Sequence, residues 1–353
     1  MARRFSLASV ALFVAALIVA AMALGTPSKR RNLSWQLTPT GSSARLRGLS
    51  TVSANVAWAS GSLGTVLRTV DRGATWQQVG PPGTGTLQFR DIEAFSANRA
   101  VILSIGPGND SRIYVTSDAG QHWTLAFLND DPNAFYDCMT FFNGRRGLAL
   151  SDPPDGVKFR IISTADGGQS WHVVDPAGMP AALAGEFAFA ASGQCITSNH
   201  GHRAWFGTGG AAQARVFRSN NRGRTWRVSA TPMNSSPSAG IFALAFRSQQ
   251  HGLAVGGDFL LPTASPNNFA LTRDGGRSWQ LVPSAPAEYR SGAAWVNGVV
   301  VIAVGPSGSD ASFNHGQSWR RFDDGSFDTV DCAHGACWAS GEQGRAAYLI
   351  QQH

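Results

Sequence analysis

The chain has 353 residues, 43% of them hydrophobic and only 14% charged, with 40 Gly, 17 Pro and 11 Trp. So many bulky apolar residues at so low a charge density exclude a disordered or coiled-coil protein, and the scattered Gly and Pro require many tight turns between short elements. The net charge of +7 is an arginine surplus, since Lys29 and Lys158 are the only lysines; no basic patch interleaved with aromatics accompanies it, which argues against a nucleic-acid partner.

In chain order, Arg3 and Arg4 precede an apolar run from Phe5 to Leu24. Residues 1–25 therefore read as a signal peptide or an N-terminal membrane anchor. Ala21-Met22-Ala23 offers small residues for cleavage, while the length of the run also suits a span, so both alternatives stay open. Either one exports the remainder to the periplasm, the exterior or the outer side of the cytoplasmic membrane, with membrane contact only through this segment. Residues 26–32 form a basic linker around Lys29, Arg30 and Arg31, and residues 33–353 form the folded domain.

The domain begins with a short strand, Leu33-Ser34-Trp35-Gln36-Leu37. Three strands follow, from Arg47 to Ser53, Val56 to Ser60 and Val66 to Thr69, and then the turn Thr69-Val-Asp71-Arg-Gly73-Ala-Thr75-Trp76. This turn recurs with its tryptophan at 123, 171, 226, 279 and 319, always as Ser/Thr-x-Asp/Asn-x-Gly-x-Ser/Thr-Trp, apart from His122 in the second copy. An Asp or Asn side chain there accepts backbone N–H bonds, Gly takes a positive φ, and the Trp opens the next strand and locks the turn. The mean spacing of about 49 residues matches one four-stranded propeller blade. After Trp319 come three more strands, from Phe327 to Cys332, Cys337 to Ser340 and Ala346 to Ile350. The strand they lack is the one around Trp35, so the ring closes at seven blades when Trp35 to Leu37 pairs beside Ala346 to Ile350, removing exposed sheet edges. The expected fold is an all-β, seven-bladed propeller.

The turn pattern resembles the Asp-box, or bacterial neuraminidase repeat, of β-propellers. The run from Arg47-Gly-Leu-Ser through Val56-Ala-Trp-Ala-Ser-Gly61 and Gly64-Thr-Val-Leu-Arg68 to Trp76 resembles a blade of the photosystem II stability/assembly factor family. That resemblance spans residues 33–350. It implies an exported seven-bladed propeller acting as a non-catalytic binding scaffold on a membrane-protein assembly intermediate.

The residues that could carry chemistry are few. Asp-box turns lie on the face opposite a propeller's usual binding surface and are structural. Asp130, Asp131, Asp137, Asp152, Asp155 and Asp258 fall in predicted loops of the binding face, so the alternative function is a glycoside hydrolase using two such carboxylates about 5–9 Å apart. Phe159-Arg160-Ile161 is similar to a sialidase signature, but Ile162 replaces its proline and the segment reads as a strand. His200-Gly-His202 lacks further ligands at a metal-binding spacing. Gly207-Thr-Gly209-Gly210 opens no helix, and no catalytic elbow or cofactor motif is present, so no cofactor is expected. Cys332 and Cys337 flank a hairpin turn and suit a cross-strand disulfide; Cys138 and Cys195, in neighbouring blades, either pair or stay as buried thiols.

Aligning first strands through Ser53-Ala-Asn55 and Ser96-Ala-Asn98 makes Arg47 and Arg90 equivalent, and matching Trp295 to Phe95 adds Arg290, with Tyr136 and Ile241 at that position in two other blades. The expectation is an arginine-rimmed channel mouth that takes an acidic peptide or loop of a protein partner. Asp137 lies beside it, and Asn109, Arg112, His200, His202, Arg203 and Arg345 flank it from loops between second and third strands.

Overall fold

The computed structural model describes residues 32–199 and 201–352. They form seven four-stranded antiparallel sheets that follow one another in sequence. The first strands of consecutive blades contact one another around a central channel and close into a ring. These seven innermost strands are Leu46–Thr51, Gln88–Ala94, Tyr136–Phe141, Ile196–Asn199, Ala239–Phe246, Gly292–Trp295 and Thr329–Ala333. Helical structure among the described residues is limited to two 3-10 turns, Gly108–Asp110 and Pro176–Gly178.

The ring closes as the strand pattern requires. Asn32–Leu37 pairs antiparallel with Ala346–Gln352, Trp35 opposite Leu349 and Leu37 opposite Ala347, as the fourth strand of blade 7. Leu33 and Leu349 then join Phe327 and Val330 in one buried cluster, and Trp35 Nε1 donates to Ser309 Oγ of blade 6 at 3.0 Å. The apolar run from Phe5 to Leu24 lies outside the described residues.

Each repeated turn is held by its own residues. In blade 3, Asp166 Oδ1 accepts from the backbone N–H groups of Gln169 and Ser170 and from the Thr164 hydroxyl, while Oδ2 accepts from the Ser170 hydroxyl. Gly168 N–H closes the turn on Thr164 Oγ1. Gly168 is needed twice over: its φ is +90°, and a Cβ there would lie 2.9 Å from Val101 of the preceding blade. Trp171, Trp226 and Trp319 donate Nε1–H to the glycine carbonyl of their own turn. Trp76 and Trp123 instead reach back to Thr38 and Val79.

A second set of tryptophans ties each blade to the next. Trp58, Trp205 and Trp338 are fully buried on the second strands of blades 1, 4 and 7. They donate to the carbonyls of Ser96, Gly275 and Ser53 in the following blade. Loss of one such ring costs about 3–5 kcal/mol. Disulfides join Cys332 to Cys337, directly opposite one another across the first hairpin of blade 7, and Cys138 to Cys195, stapling blade 3 to blade 4.

Candidate functional site: a plugged channel mouth

The propeller has a turn face, carrying the repeated turns and the hairpins between first and second strands, and a mouth face, carrying the remaining connections. Near the mouth face the first strands of blades 1, 2, 3 and 5 each carry a bulge, at Arg47, Arg90, Asp137 and Phe242. A bulge leaves one residue out of the ladder and re-aims its side chain. Counted from the hairpins in register, this position around the ring reads Arg47, Arg90, Asp137, Gln194, Phe242, Ser291 and Asp328.

Arg47 and Arg90 are therefore equivalent, as the alignment requires, but three expected members are displaced by one residue. Arg290 precedes the ring position. It is fully buried, with Nε and Nη2 on Asp310 Oδ2 at 2.8 and 2.5 Å and Nη2 also 3.2 Å from Glu288, so it braces blade 6 instead of rimming the channel. Tyr136 packs between blades against Phe127, ring centres 5.2 Å apart, and burial pushes its hydroxyl up to about 12. Ile241 is likewise interior, and Phe242 takes its place. The slip arises on the hairpin side of the ring position: Trp295 pairs with Val301 as Ala94 pairs with Ala100, so Trp295 is the equivalent of Ala94 and not of Phe95, and every residue counted back from it moves by one.

The flanking set also divides. Asn109, Arg112 and Arg345 do lie on the mouth face: Arg112 Nε donates to Asn109 O at 2.6 Å, and Arg345 sits 4.9 Å over the Phe327 ring. His202 and Arg203 do not. Ile196–Asn199 is the first strand of blade 4 and Arg203–Gly207 its second, so the hairpin between them belongs to the turn face, where Arg203 donates to Gln249 O. His200 lies outside the described residues. The cause is the apolar alternation Phe187-Ala-Phe189-Ala-Ala191, which has the pattern of a strand and forms none.

That segment instead plugs the channel. Its start is fixed by Glu186, buried and ion-paired to Arg215. Ala190 O then accepts from Arg90 Nη1 (2.6 Å), Ser192 Oγ donates to Ser291 O (2.7 Å), and Thr329 Oγ1 donates to Ser192 O. Gln194 crosses to blades 6 and 7, donating to Val330 O and accepting from Ala293 N–H. Gly193 makes the crossing feasible, with φ +73° and space for a Cβ only 2.5 Å from Asp91 Oδ1. Below the plug is a chamber of about 430 Å³ lined by Asp91, Glu93 and Asp331 among others. Burial, reinforced by their mutual repulsion, raises Asp91 to about 8 and pushes Glu93 and Asp331 up as well.

Above the plug, charge is unbalanced. Arg45 takes both oxygens of Asp328, each at 2.7 Å. Arg47 beside it makes no ion pair among the described residues and its buried Nε has no acceptor. Arg90 has only its carbonyl bond, and burial with the nearby Arg47 and Arg45 charges lowers it to about 10. The acid next to Arg90 does not compensate. Asp137 is buried against Asp152; burial and the adjacent carboxylate push Asp137 well up, and burial raises Asp152 to about 7. Of the other candidate acids, Asp131 pairs with Arg160 at 2.8 Å, while Asp155 and Asp258 accept N–H bonds from their own loops. Among the described residues no group of three or more His, Cys, Asp or Glu is placed to hold a metal ion.

The opposite side of the mouth is aromatic, which sequence reasoning missed. Phe189 stacks on Phe242 (3.9 Å), Phe242 meets Tyr289 edge-on (4.7 Å), and Phe187 and Phe259 border the group. Phe259, Leu260 and Leu261 project from the adjoining loop and are 46–67% exposed. The available signal was this apolar triplet inside a loop otherwise rich in Ser, Pro and Asn.

No protein-family model and no curated protein sequence matches the chain. Solved structures do match. YCF48 bound to D1 peptide aligns over 93% of this chain and 100% of its own at 14% identity and a TM-score of 0.63. YCF48 from Cyanidioschyzon merolae aligns over 89% and 98% at 15% identity and a TM-score of 0.65. The GH74 xyloglucanase from Xanthomonas campestris aligns over 89% of this chain but 53% of its own, at 14% identity and a TM-score of 0.58. At such identities the likeness is one of fold: this chain shares the seven-bladed propeller with all three.

Proposed function

We propose that this protein is an exported, non-catalytic propeller that binds an acidic peptide segment of a protein partner at the plugged channel mouth, as an assembly or stability factor for a membrane-associated complex. The observation that carries this reading is the pair Arg47 and Arg90, partly buried side by side with no carboxylate partner. Desolvated like charges are costly together and are relieved by an incoming anion. The aromatic side of the mouth extends the preference to a segment that follows its carboxylates with apolar side chains. The same fold in YCF48 holds a D1 peptide, which supports peptide capture as the mode of action. Two disulfides suit an oxidising compartment and so support export through the N-terminal segment, together with the Asp-box character of the turns.

The test is a binding titration of a labelled Asp/Glu-rich peptide with a free carboxyl terminus. Charge-assisted bonds are worth about 1.5–3 kcal/mol each, so Arg47→Gln with Arg90→Gln is expected to weaken binding at least tenfold. Binding by the parent should also weaken with added salt, while the melting temperature of the double variant stays near that of the parent. Equal binding by parent and variant would remove the mouth as the site.

A further inference from the structure

The boundary between blades 5 and 6 on the turn face differs from the corresponding boundary between blades 2 and 3. At the latter, Arg99 ends the five-residue hairpin loop of blade 2, and its Nη2 donates to Gly144 O at 2.6 Å and Gly167 O at 3.0 Å. The guanidinium fills the space so fully that a Cβ at Gly167 would lie 1.9 Å from it. In blade 5 the residue at the Arg99 position is His251, too short to make that bridge, and the residue at the Gly167 position is His315. A cavity of about 250 Å³ opens instead, walled by Arg247, His251, Leu271, Arg273, Trp295 and His315.

The ionisable groups around this cavity are all basic. Arg247 Nη1 donates to Gly298 O at 2.9 Å while its guanidinium lies 5.4 Å over the Trp295 ring. His315 Nδ1 is 3.1 Å from the same carbonyl, and His251 Nδ1 is 3.1 Å from Ser248 Oγ, so each histidine has its Nε2 uncommitted. Arg273 makes no hydrogen bond or ion pair among the described residues. No carboxylate lines the cavity. The neighbouring Asp274 is consumed by Thr272, Arg277 and Ser278 of its own turn. Burial and the charges of Arg247, Arg273 and His315 hold His251 below its ordinary value, as unrelieved positive charge requires.

From this geometry we infer that the cavity between blades 5 and 6 is a binding site for a small oxyanion of the sulfate or phosphate class, held by Arg247 and Arg273 and by the Nε2–H groups of His251 and His315, with Trp295 and Leu271 as an apolar wall. The site lies on the face opposite the channel mouth and stands independently of the peptide reading. Because His315 Nδ1–H is given to the Gly298 carbonyl, its Nε2 donates only from the imidazolium form, so anion binding takes up a proton there and tightens as pH falls.

Sulfate tests the proposal cleanly, since its charge is constant between pH 5.5 and 8. Calorimetric titration of the full-length chain, with ionic strength held by sodium chloride, should give saturable binding at pH 5.5 that weakens at least fivefold at pH 8. Arg273→Gln with His315→Asn, Asn being tolerant of the φ of +63° at position 315, should weaken it at least tenfold at pH 5.5 without changing the melting temperature in chloride. In the parent, sulfate should shift the imidazole NMR signals of His251 and His315 and leave those of His122 and His172 in place, which needs no variant. Phenyl phosphate binding more tightly than inorganic phosphate would identify an ester as the natural ligand, and equal binding a free ion. Absence of saturable sulfate binding, or unshifted His251 and His315 signals, would overturn the proposal.

Discussion

On the turn face the polar groups of the repeat are filled locally: Asp71, Asp118, Asp166 and Asp274 each accept hydroxyl and backbone N–H bonds from within four residues. On the mouth face Arg47 and Arg90 have no carboxylate in ion-pair contact, and the acid near Arg90, Asp137, is buried and pushed well up instead of pairing with it. The Asp and Asn of each repeat are satisfied within their own turn, while the repeat tryptophan Trp279 keeps a buried Nε1 without an acceptor. Arg47, Arg90 and the Phe187 to Gln194 plug lie outside the repeat, and there Arg47 Nε is left without an acceptor. The basic cavity between blades 5 and 6 arises the same way, where one boundary departs from the pattern of another.

The largest effect expected from breaking this division is on ring closure. Deleting residues 32–37 removes a whole strand and uncovers the edge at Ala346–Gln352, and the melting temperature should fall by about 10 °C or more, as several kcal/mol of lost packing requires. A truncated chain melting like the parent would make the closure irrelevant to stability. Next is Arg290→Gln, which leaves Asp310 buried without its cation and should destabilise by about 3–5 kcal/mol in chemical denaturation. Arg47→Gln, at a nominally similar position in the first strand of another blade, should change stability little. Similar losses for both would erase the distinction between brace and site.

Much of this architecture was legible in the sequence, and the reasons are particular. Each tryptophan of the repeat marks a turn whose Gly supplies the positive φ and whose Asp or Asn supplies the acceptor, so blade count, strand order and the pairing of Trp35 to Leu37 with the last strand could be read directly. The site was legible only in part. Arg47 and Arg90 share flanking Ser-Ala-Asn residues and align correctly, but no such residues flank Arg290, and matching the aromatic Trp295 to Phe95 sets that blade one residue off, because Trp295 pairs as Ala94 does. The plug was hidden because Phe187 and Phe189 alternate as a strand would, although Phe189 stacks on Phe242 across the mouth and Phe187 packs against Phe189. The hairpin at His202 moved to the other face for the same reason.

The buried acids of the channel and the acids of the repeated turns should respond oppositely to pH. Asp91, raised to about 8, and Asp152, raised to about 7, hold protons in the folded state that the unfolded chain releases near pH 4, so their contribution is present at low pH and lost as pH rises toward 8. Asp118, Asp166 and Asp274, held down to about 2, contribute above pH 4 and lose that contribution as pH falls toward 2. Melting temperature measured from pH 2 to 8 should therefore pass through a maximum near pH 4–5, and Asp91→Asn should flatten the descent toward pH 8. A descent unchanged in that variant would show that the chamber acids do not carry it. The smallest effect is that of a single turn: Asp166→Ala should cost about 1 kcal/mol and leave peptide binding intact.

The central claim is that the mouth, and not the repeated turns, meets the partner. Hydrogen–deuterium exchange of the full-length chain with and without a saturating acidic peptide measures this directly. Added protection should appear in segments 44–48, 88–91 and 187–194 and in the loop around Phe259, with none in the turns ending at Trp76, Trp123, Trp171, Trp226, Trp279 and Trp319. Protection concentrated in those turns, with the mouth segments unchanged, would contradict the account.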